Sequence, residues 1–105
     1  MGLNSMSTLG LRSKDLETLM RAFRKFPWVR EVRVFGSRAT GRARRTSDID
    51  LAISAPDASA TEWSELVEAI DQSPIIFEFD LVRPETTTNV RLLEKISLEG
   101  VRIYP

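Results

Sequence analysis

The sequence predicts an α+β domain of the mixed α/β type, in which helices pack on a small mixed β-sheet. Three observations support this prediction. Segments of helical and of alternating periodicity follow one another in the order α-β-β-α-β-α-β. The loop 36–46 between the first two strands is too short for an ordinary helical crossover, whereas a full helix separates the second strand from the third. We therefore expect an antiparallel first pair, or a single helical turn in its loop, then a βαβ unit, with the helices on one side.

The domain is expected to occupy most of the chain. The 105 residues fit one small domain, and we assign residues 1–12 to a flexible N-terminal lead-in and residues 13–105 to the domain itself. Apolar residues make up 42% and charged residues 29% of the chain, which is ordinary for a globular protein. No apolar run approaches the length that crosses a bilayer, so we expect no membrane partner and a cytoplasmic location.

The first helix and strand have clear boundaries. Ser13 is the candidate N-cap of a helix over residues 14–26, whose apolar residues recur at helical spacing until Pro27 ends it. The next segment, residues 29–35, alternates apolar with charged residues and therefore predicts a strand, which Gly36 ends.

The remaining elements are predicted by the same signals. Residues 47–54 alternate and form the second strand, and a capping box of Ser59 and Glu62 then begins the second helix. Residues 75–82 are typical of a third strand. We expect a last helix with Asn89 as its N-cap and Gly100 as its terminator, followed by a short strand over residues 101–104.

Composition restricts the chemistry to oxygen ligands, hydroxyls and cations. The chain has no cysteine and no histidine, which excludes disulfides, thiolate chemistry, the usual zinc ligands and a Ser-His-Asp triad. A metal would therefore be held by oxygen atoms alone, as magnesium, manganese or calcium can be. The formal net charge is zero, so any electrostatic attraction for a ligand must be local.

Asp48 and Asp50 are separated by one residue in the second predicted strand and so point to the same face. Two like charges placed together repel, and a divalent cation between them would remove the repulsion. The alternative is a pair of solvated aspartates on an exposed face, because the Asp-x-Asp spacing alone is a weak signal.

The Gly36-Ser37 turn and the arginines after it could contact phosphate. Glycine allows a tight turn and a close approach of phosphate, and the free N–H groups of a helical turn could hold phosphate oxygens. Arginine side chains also suit phosphate geometry, and four of them follow in this loop: Arg38, Arg42, Arg44 and Arg45. The alternatives are a plain turn and a solvated loop.

Asp80 is the third candidate carboxylate, in an otherwise apolar strand. If that strand lies beside the second, Asp80 joins Asp48 and Asp50, and three carboxylates around one or two divalent ions suit nucleotidyl transfer. Asp80 could then also accept the proton of an attacking hydroxyl. The alternatives are an edge-strand charge that discourages aggregation, or Glu78 in place of Asp80.

Together these residues resemble the signature of the minimal nucleotidyltransferase (MNT) family of the DNA polymerase β-like superfamily. The signature consists of Gly-Ser, a loop, Asp-x-Asp and a third aspartate on a later strand. It matches Gly36, Ser37, Asp48, Asp50 and Asp80. The flanking residues FGSRATGRARRTSDIDL and the closing EGVRIY are similar as well, so the resemblance covers roughly residues 13–105.

The resemblance implies a polymerase β-like fold, a reaction and a partner. Such an enzyme uses Mg²⁺ to transfer a nucleoside monophosphate, in the leading case AMP from ATP, to an acceptor hydroxyl. The residues carried over are Gly36, Ser37 and Arg38 for the nucleotide, and Asp48, Asp50 and Asp80 for metal binding and catalysis. The resemblance further implies an antitoxin that modifies a tyrosine of a HEPN-type toxin, with which it could form a hetero-oligomer.

Two other functions stay open at this point. The domain could be a catalytically silent module that neutralises its partner by contact alone. It could also be a nucleotidyltransferase acting on RNA, although zero net charge and the lack of a basic and aromatic face do not favour nucleic acid as a partner.

Overall fold

The computed structural model describes residues 10–41 and 48–105, and its elements follow the predicted order. The helices are α1 (Ser13–Arg24), α2 (Ala60–Asp71) and α3 (Val90–Glu99). The strands are β1 (Glu31–Phe35), β2 (Ile49–Ser54), β3 (Phe79–Val82) and β4 (Val101–Tyr104). The prediction of a mixed α+β domain is confirmed. Within these residues no helix is long and apolar enough to cross a membrane.

The four strands form one sheet in the order β3-β2-β1-β4. β1 pairs antiparallel with β2, which is one of the two arrangements expected from their short connection, and it also pairs antiparallel with β4. β2 and β3 run parallel, which is possible because α2 crosses between them. β2 is therefore an inner strand with an antiparallel neighbour on one side and a parallel neighbour on the other.

One face of the sheet carries the main core. Val34 of β1 is paired with Leu51 of β2, and both point toward α1 and α2. Phe23 of α1 and Leu66 of α2 pack over them with no exposed surface. Burying a side chain of this size is worth about 1.5–3 kcal/mol, so this face supplies most of the hydrophobic stabilisation.

The opposite face is covered in part by α3, which corrects the expectation that all helices lie on one side. Ile96 of α3 packs against Phe35 and Ala52, which alternate with the main-core residues of β1 and β2. The amphipathic pattern of a helix shows that one of its sides is buried, but not against which face of a sheet. The error therefore lies in the packing, whereas the helix itself was predicted.

The ends of α2 and α3 confirm the predicted caps. Ser59 Oγ accepts a hydrogen bond from the Glu62 N–H, and the Glu62 carboxylate accepts one from the Ser59 N–H. Asn89 Oδ1 accepts a hydrogen bond from the Leu92 N–H. Gly100 ends α3 with a φ of −63°, so the chain enters β4 without a left-handed residue.

The N-terminus of α1 differs from its prediction. Arg12 is the N-cap in place of Ser13, and it makes no capping hydrogen bond. Arg12 Nε instead donates to the buried carboxylate of Asp15 at 3.0 Å, so an ion pair anchors the first turn. Leu11 lies in the main core, so the end of the predicted lead-in packs on the domain, whereas residues 1–9 lie outside the described residues.

β3 is shorter than predicted, because it begins at Phe79 and not at residue 75. Just before it, the Glu78 carbonyl accepts a hydrogen bond from the Ile49 N–H at 2.9 Å. The preceding residues turn toward α2 and line a cavity beside that helix. The apolar residues of this segment are thus used for packing outside the sheet.

Candidate active site

Asp50 and Asp80 lie side by side on β2 and β3. They are register partners in the parallel pair, so their side chains share the face that α3 partly covers. Asp48 precedes β2 and is exposed, as is Asp80, whereas Asp50 is half-buried. The neighbouring position of the two strands, which the sequence only allowed, therefore brings Asp80 to the Asp-x-Asp pair.

The turn after β1 reaches the same end of the sheet. Gly36 follows Phe35, the register partner of Asp50 in β1, and has a left-handed φ of +75°. A Cβ at Gly36 would overlap the Asp50 carboxylate, so glycine allows both the backbone conformation and the close approach. The Thr40 N–H donates to the Gly36 carbonyl at 3.2 Å, which closes a single helical turn around the half-buried Ser37. The antiparallel pairing of β1 with β2 and the single helical turn, which the sequence offered as alternatives, thus occur together.

The three carboxylates interact through their charges. The pKa of Asp50 is raised, chiefly because partial burial disfavours its ionised form, and further because Asp80 and Asp48 are negative. Lys95 of α3 acts in the opposite direction. Ionised Asp50 is therefore costly in the protein alone, and a cation bound at this end of the sheet would reduce the cost.

The donor set fits a magnesium ion, although the carboxylates are not drawn together around one. Among residues 10–41 and 48–105, no three acidic side chains lie close enough to hold a metal ion by themselves. Magnesium, however, is usually bound by one or two carboxylates, with water and substrate phosphates completing its shell. Asp48, Asp50 and Asp80 supply such oxygen donors where negative charge already accumulates.

Arg38 lies differently from the other predicted nucleotide-binding residues. It is only 3% exposed, its guanidinium stacks 4.6 Å from the centre of the Phe77 ring, and Nη1 donates to the Gly10 carbonyl at 3.2 Å. The guanidinium of Arg38 thus points into the protein, where it joins the turn to Phe77 and to Gly10. The other arginines of the predicted phosphate surface lie outside the described residues: Arg42, Arg44 and Arg45.

Lys95 is a candidate that the sequence did not indicate. It is exposed on α3, three residues after Leu92 and next to Ile96, which both pack on the face that bears Asp50. Its positive charge lowers the pKa of Asp50, so it lies within electrostatic reach of the carboxylates. The periodicity of α3 shows a lysine beside an apolar stripe, but the correct face of the sheet had to be known to connect it with the site.

Glu78, the alternative to Asp80, belongs to another part of the surface. It precedes β3 and lines a cavity of about 600 Å³ beside α2, together with Trp63, Ile75 and Phe79. Most of the residues that line this cavity are apolar, and its charged lining residues, Asp71 and Glu78, are both acidic. The Gly36 turn does not line it, so the described residues favour the end of the sheet near Asp50, where the turn and the carboxylates meet, as the site.

Comparison with known proteins gives the family. Residues 17–105 match the model of the family described as polymerase beta, nucleotidyltransferase. No curated protein matches the chain. The family match covers most of the chain, including every candidate site residue.

Solved structures show the same fold. A toxin–antitoxin complex with AMP-PNP shares 25% identity with a TM-score of 0.64, over 85% of this chain and 72% of that chain. The toxin–antitoxin MntA–HepT shares 20% identity with a TM-score of 0.58, over 89% of this chain and 72% of that chain. A protein of Sulfolobus solfataricus assigned as a nucleotidyltransferase shares 20% identity with a TM-score of 0.55, over 96% of this chain and 84% of that chain.

These findings agree with the signature formed by the Gly-Ser turn and the three aspartates. They confirm the resemblance to the minimal nucleotidyltransferases and the polymerase β-like fold. The two structures of lower identity support the fold alone. The chain therefore belongs to the polymerase β family of nucleotidyltransferases.

Proposed function

We propose that the protein is a magnesium-dependent nucleotidyltransferase that transfers AMP from ATP to a tyrosine hydroxyl of a HEPN-type toxin, and so acts as its antitoxin. The observation that carries this proposal is the register pairing of Asp50 with Asp80, directly beside the left-handed Gly36. Nucleotidyl transfer needs carboxylates for a metal and a backbone turn for phosphates in one place. These residues supply both.

The turn is suited to hold the triphosphate. The N–H groups of a single helical turn point to one end, as at the start of a longer helix, and anions bind there. The partly exposed Ser37 hydroxyl can donate one further hydrogen bond to a phosphate oxygen. Lys95, whose charge acts on Asp50, adds positive charge for the same phosphates.

The carboxylates would hold magnesium and accept a proton. Magnesium, when bound by Asp48, Asp50 and Asp80, neutralises charge on the phosphate oxygens. Asp80 is exposed and lies beside Asp50, so it can accept the proton of the acceptor hydroxyl. The hydroxyl oxygen then bonds to the α-phosphorus, the bond to the oxygen that bridges to the β-phosphate breaks, and pyrophosphate leaves.

One structural similarity supports ATP as donor and a toxin as acceptor. The structure with 25% identity is a toxin–antitoxin complex solved with AMP-PNP, an ATP analogue. The preference for tyrosine and for a HEPN-type partner follows from the resemblance to minimal nucleotidyltransferases.

The test is a transfer assay with ATP labelled at the α-phosphate and a purified HEPN-type partner, in magnesium and in EDTA. We expect the wild type to label the partner only in magnesium. An Asp48→Asn, Asp50→Asn double variant should lose at least about 100-fold in rate, because a catalytic metal contributes several kcal/mol. Asp57→Asn is the matched control, because Asp57 is exposed beyond the opposite end of β2.

Three outcomes would contradict the proposal. Label transfer that persists in the double variant would remove Asp48 and Asp50 from the mechanism, and with them the proposed site. Neutralisation of the toxin by the double variant, without label, would favour the contact module. Nucleotide addition to RNA without protein labelling would favour an RNA-directed enzyme.

A further inference from the structure

Arg38 is a buried arginine inside the turn that is proposed to hold phosphate. It follows Ser37 and lies within the helical turn that the Thr40 N–H closes on the Gly36 carbonyl. Its side chain leaves the turn and enters the protein, where only 3% of the residue is exposed. A buried guanidinium is costly unless it is well paired, so its surroundings are informative.

Among residues 10–41 and 48–105, Arg38 contacts the segment before α1 and the segment before β3. The guanidinium lies 4.6 Å from the centre of the Phe77 ring, and Nη1 donates to the Gly10 carbonyl at 3.2 Å. Gly10 has a φ of +74°, and a Cβ there would lie 2.8 Å from Nη1, so glycine lets the backbone approach the guanidinium. The turn is therefore attached both to the segment before α1 and to the segment before β3.

The contact with Phe77 leads directly to the third aspartate. Phe77 precedes Glu78, whose carbonyl accepts the hydrogen bond of the Ile49 N–H at 2.9 Å, where the pairing of β3 with β2 starts. Asp80 is the second residue of β3. A displacement of the Phe77 segment would therefore move the strand that carries Asp80 relative to the turn.

We propose that Arg38 is a positioning residue, which holds the Gly36–Gly41 turn against the Phe77 segment and so sets the distance from the turn to Asp80. We call the contact between Arg38 and Phe77 the latch. A planar guanidinium can stack on a ring and donate in its own plane at once, whereas a lysine ammonium cannot do both with the same geometry. The inference rests on the proposed function for its catalytic consequence, but its structural part does not.

Arg83 provides a matched control. Its guanidinium lies 5.4 Å from the centre of the Trp63 ring, and Nη2 donates to the Ala55 and Ala58 carbonyls at 2.7 Å. Arg83 thus makes the same kinds of contact as Arg38, with an aromatic ring and with backbone carbonyls. Its contacts, however, join the β2–α2 connection to the end of β3, away from Asp50. Loss of this contact should lower stability without disturbing the turn.

The first experiment measures amide hydrogen exchange by NMR in the protein without metal or nucleotide. Phe77→Leu should speed the exchange of the Thr40 N–H about tenfold, because the turn loses a stacking contact with the buried guanidinium. Trp63→Leu should leave the Thr40 N–H unchanged. Equal effects of both variants on Thr40, or no effect of Phe77→Leu, would overturn the latch whether or not the protein transfers AMP.

The second experiment measures kcat and KM for ATP in the transfer assay. Arg38→Lys, which keeps the charge, and Phe77→Leu, which keeps every charge, should each lower kcat about 10- to 100-fold with little change in KM, as misplacement of reacting groups does. Arg83→Lys should keep both constants. Full activity of Arg38→Lys combined with a high KM of Arg38→Met would show instead that Arg38 binds phosphate by its charge. A wild type that labels no partner would count against the proposed function, and the exchange experiment would still decide on the latch.

Discussion

The two faces of the sheet are built from alternate residues of the same strands, yet they differ in cover and in charge. On one face, Val34 and Leu51 are completely buried under α1 and α2. On the other, Asp50 and Asp80 stand beside the smaller cluster of Phe35, Ala52 and Ile96, which α3 covers only in part. The adjacent residues Asp50 and Leu51 of β2 thus belong to the candidate site and to the main core, respectively.

This difference separates stability from function within a single strand. The apolar face gains free energy from burial, whereas the carboxylate face loses some of it because Asp50 is partly buried and lies near other negative charges, as its raised pKa indicates. A small domain can tolerate such a site because the opposite side of the same strands is fully packed. Substitutions of Leu51 and of Asp50, which are adjacent in β2, should therefore change the free energy of unfolding in opposite directions.

The largest effect is expected for Leu51→Ala. Leu51 has no exposed surface in the main core, so its truncation should lower the free energy of unfolding by about 2–5 kcal/mol. Urea denaturation followed by circular dichroism measures this change. Leu98→Ala is the control, because Leu98 is 85% exposed and should change stability by less than about 0.5 kcal/mol. Similar losses for both would mean that the main core is not where the structure places it.

A smaller but site-specific effect is expected for Gly36→Ala. Its left-handed φ of +75° costs a residue with a Cβ about 1–2 kcal/mol, and the Cβ would also overlap Asp50. Gly41→Ala is the matched control, because Gly41 has a φ of +76° and no atom of the described residues lies within 4 Å of a Cβ placed there. Both variants should lower the temperature of thermal unfolding. Only Gly36→Ala should abolish AMP transfer. Equal activity of the two would show that the approach of Gly36 to Asp50 is not needed.

Lys95→Gln should raise the KM for ATP about fivefold, since a charge–charge interaction at a surface is worth about 1 kcal/mol. Stability should change little because Lys95 is exposed. The measurement is the transfer rate against ATP concentration, with Lys14→Gln on α1 as the control on the opposite face. An unchanged KM at low salt would remove Lys95 from the site.

The smallest effect, and the one of opposite sign, is expected for Asp50→Asn in EDTA. Since the pKa of Asp50 is raised on folding, its ionised form opposes folding, and the variant should unfold about 1–4 °C higher at neutral pH. The penalty is absent below the pKa of the unfolded chain and grows as the pH rises through the higher folded pKa. The difference should therefore shrink toward pH 3.5, and AMP transfer should be lost. A variant that is less stable at neutral pH would contradict the conclusion that the ionised form of Asp50 opposes folding.

The order of the elements and most helix ends could be predicted because they depend on local sequence. Apolar periodicity and the residues Ser59 and Asn89 act over a few positions. The short first connection indicated an antiparallel pairing of β1 with β2 or a helical turn in the loop, and the helical second connection allowed β3 to lie beside β2, which brings Asp80 to Asp50. The candidate carboxylates could thus be found from the sequence, although their roles stay predictions.

The features that could not be predicted depend on which surfaces meet in three dimensions. The sequence does not show that α3 covers the carboxylate face, so Lys95 was not connected with Asp50. Arg38 belonged to a cationic loop in the sequence, and its stacking on Phe77 arises only because residues far apart in the chain come together. A charged residue in a loop is usually solvated, and no local signal marks the exception.

The parallel pairing of β2 with β3 has a consequence for the order in which the protein folds. β1 and β2 are joined by a short loop, whereas β3 pairs with β2 across the longer segment 55–78, so closing the second connection costs more conformational entropy. We therefore expect the Gly36 turn and Asp50 to come together before Asp80 joins them. In a chain emerging from the ribosome, the carboxylate pair of Asp50 and Asp80 would form only once the crossover and β3 have been synthesised.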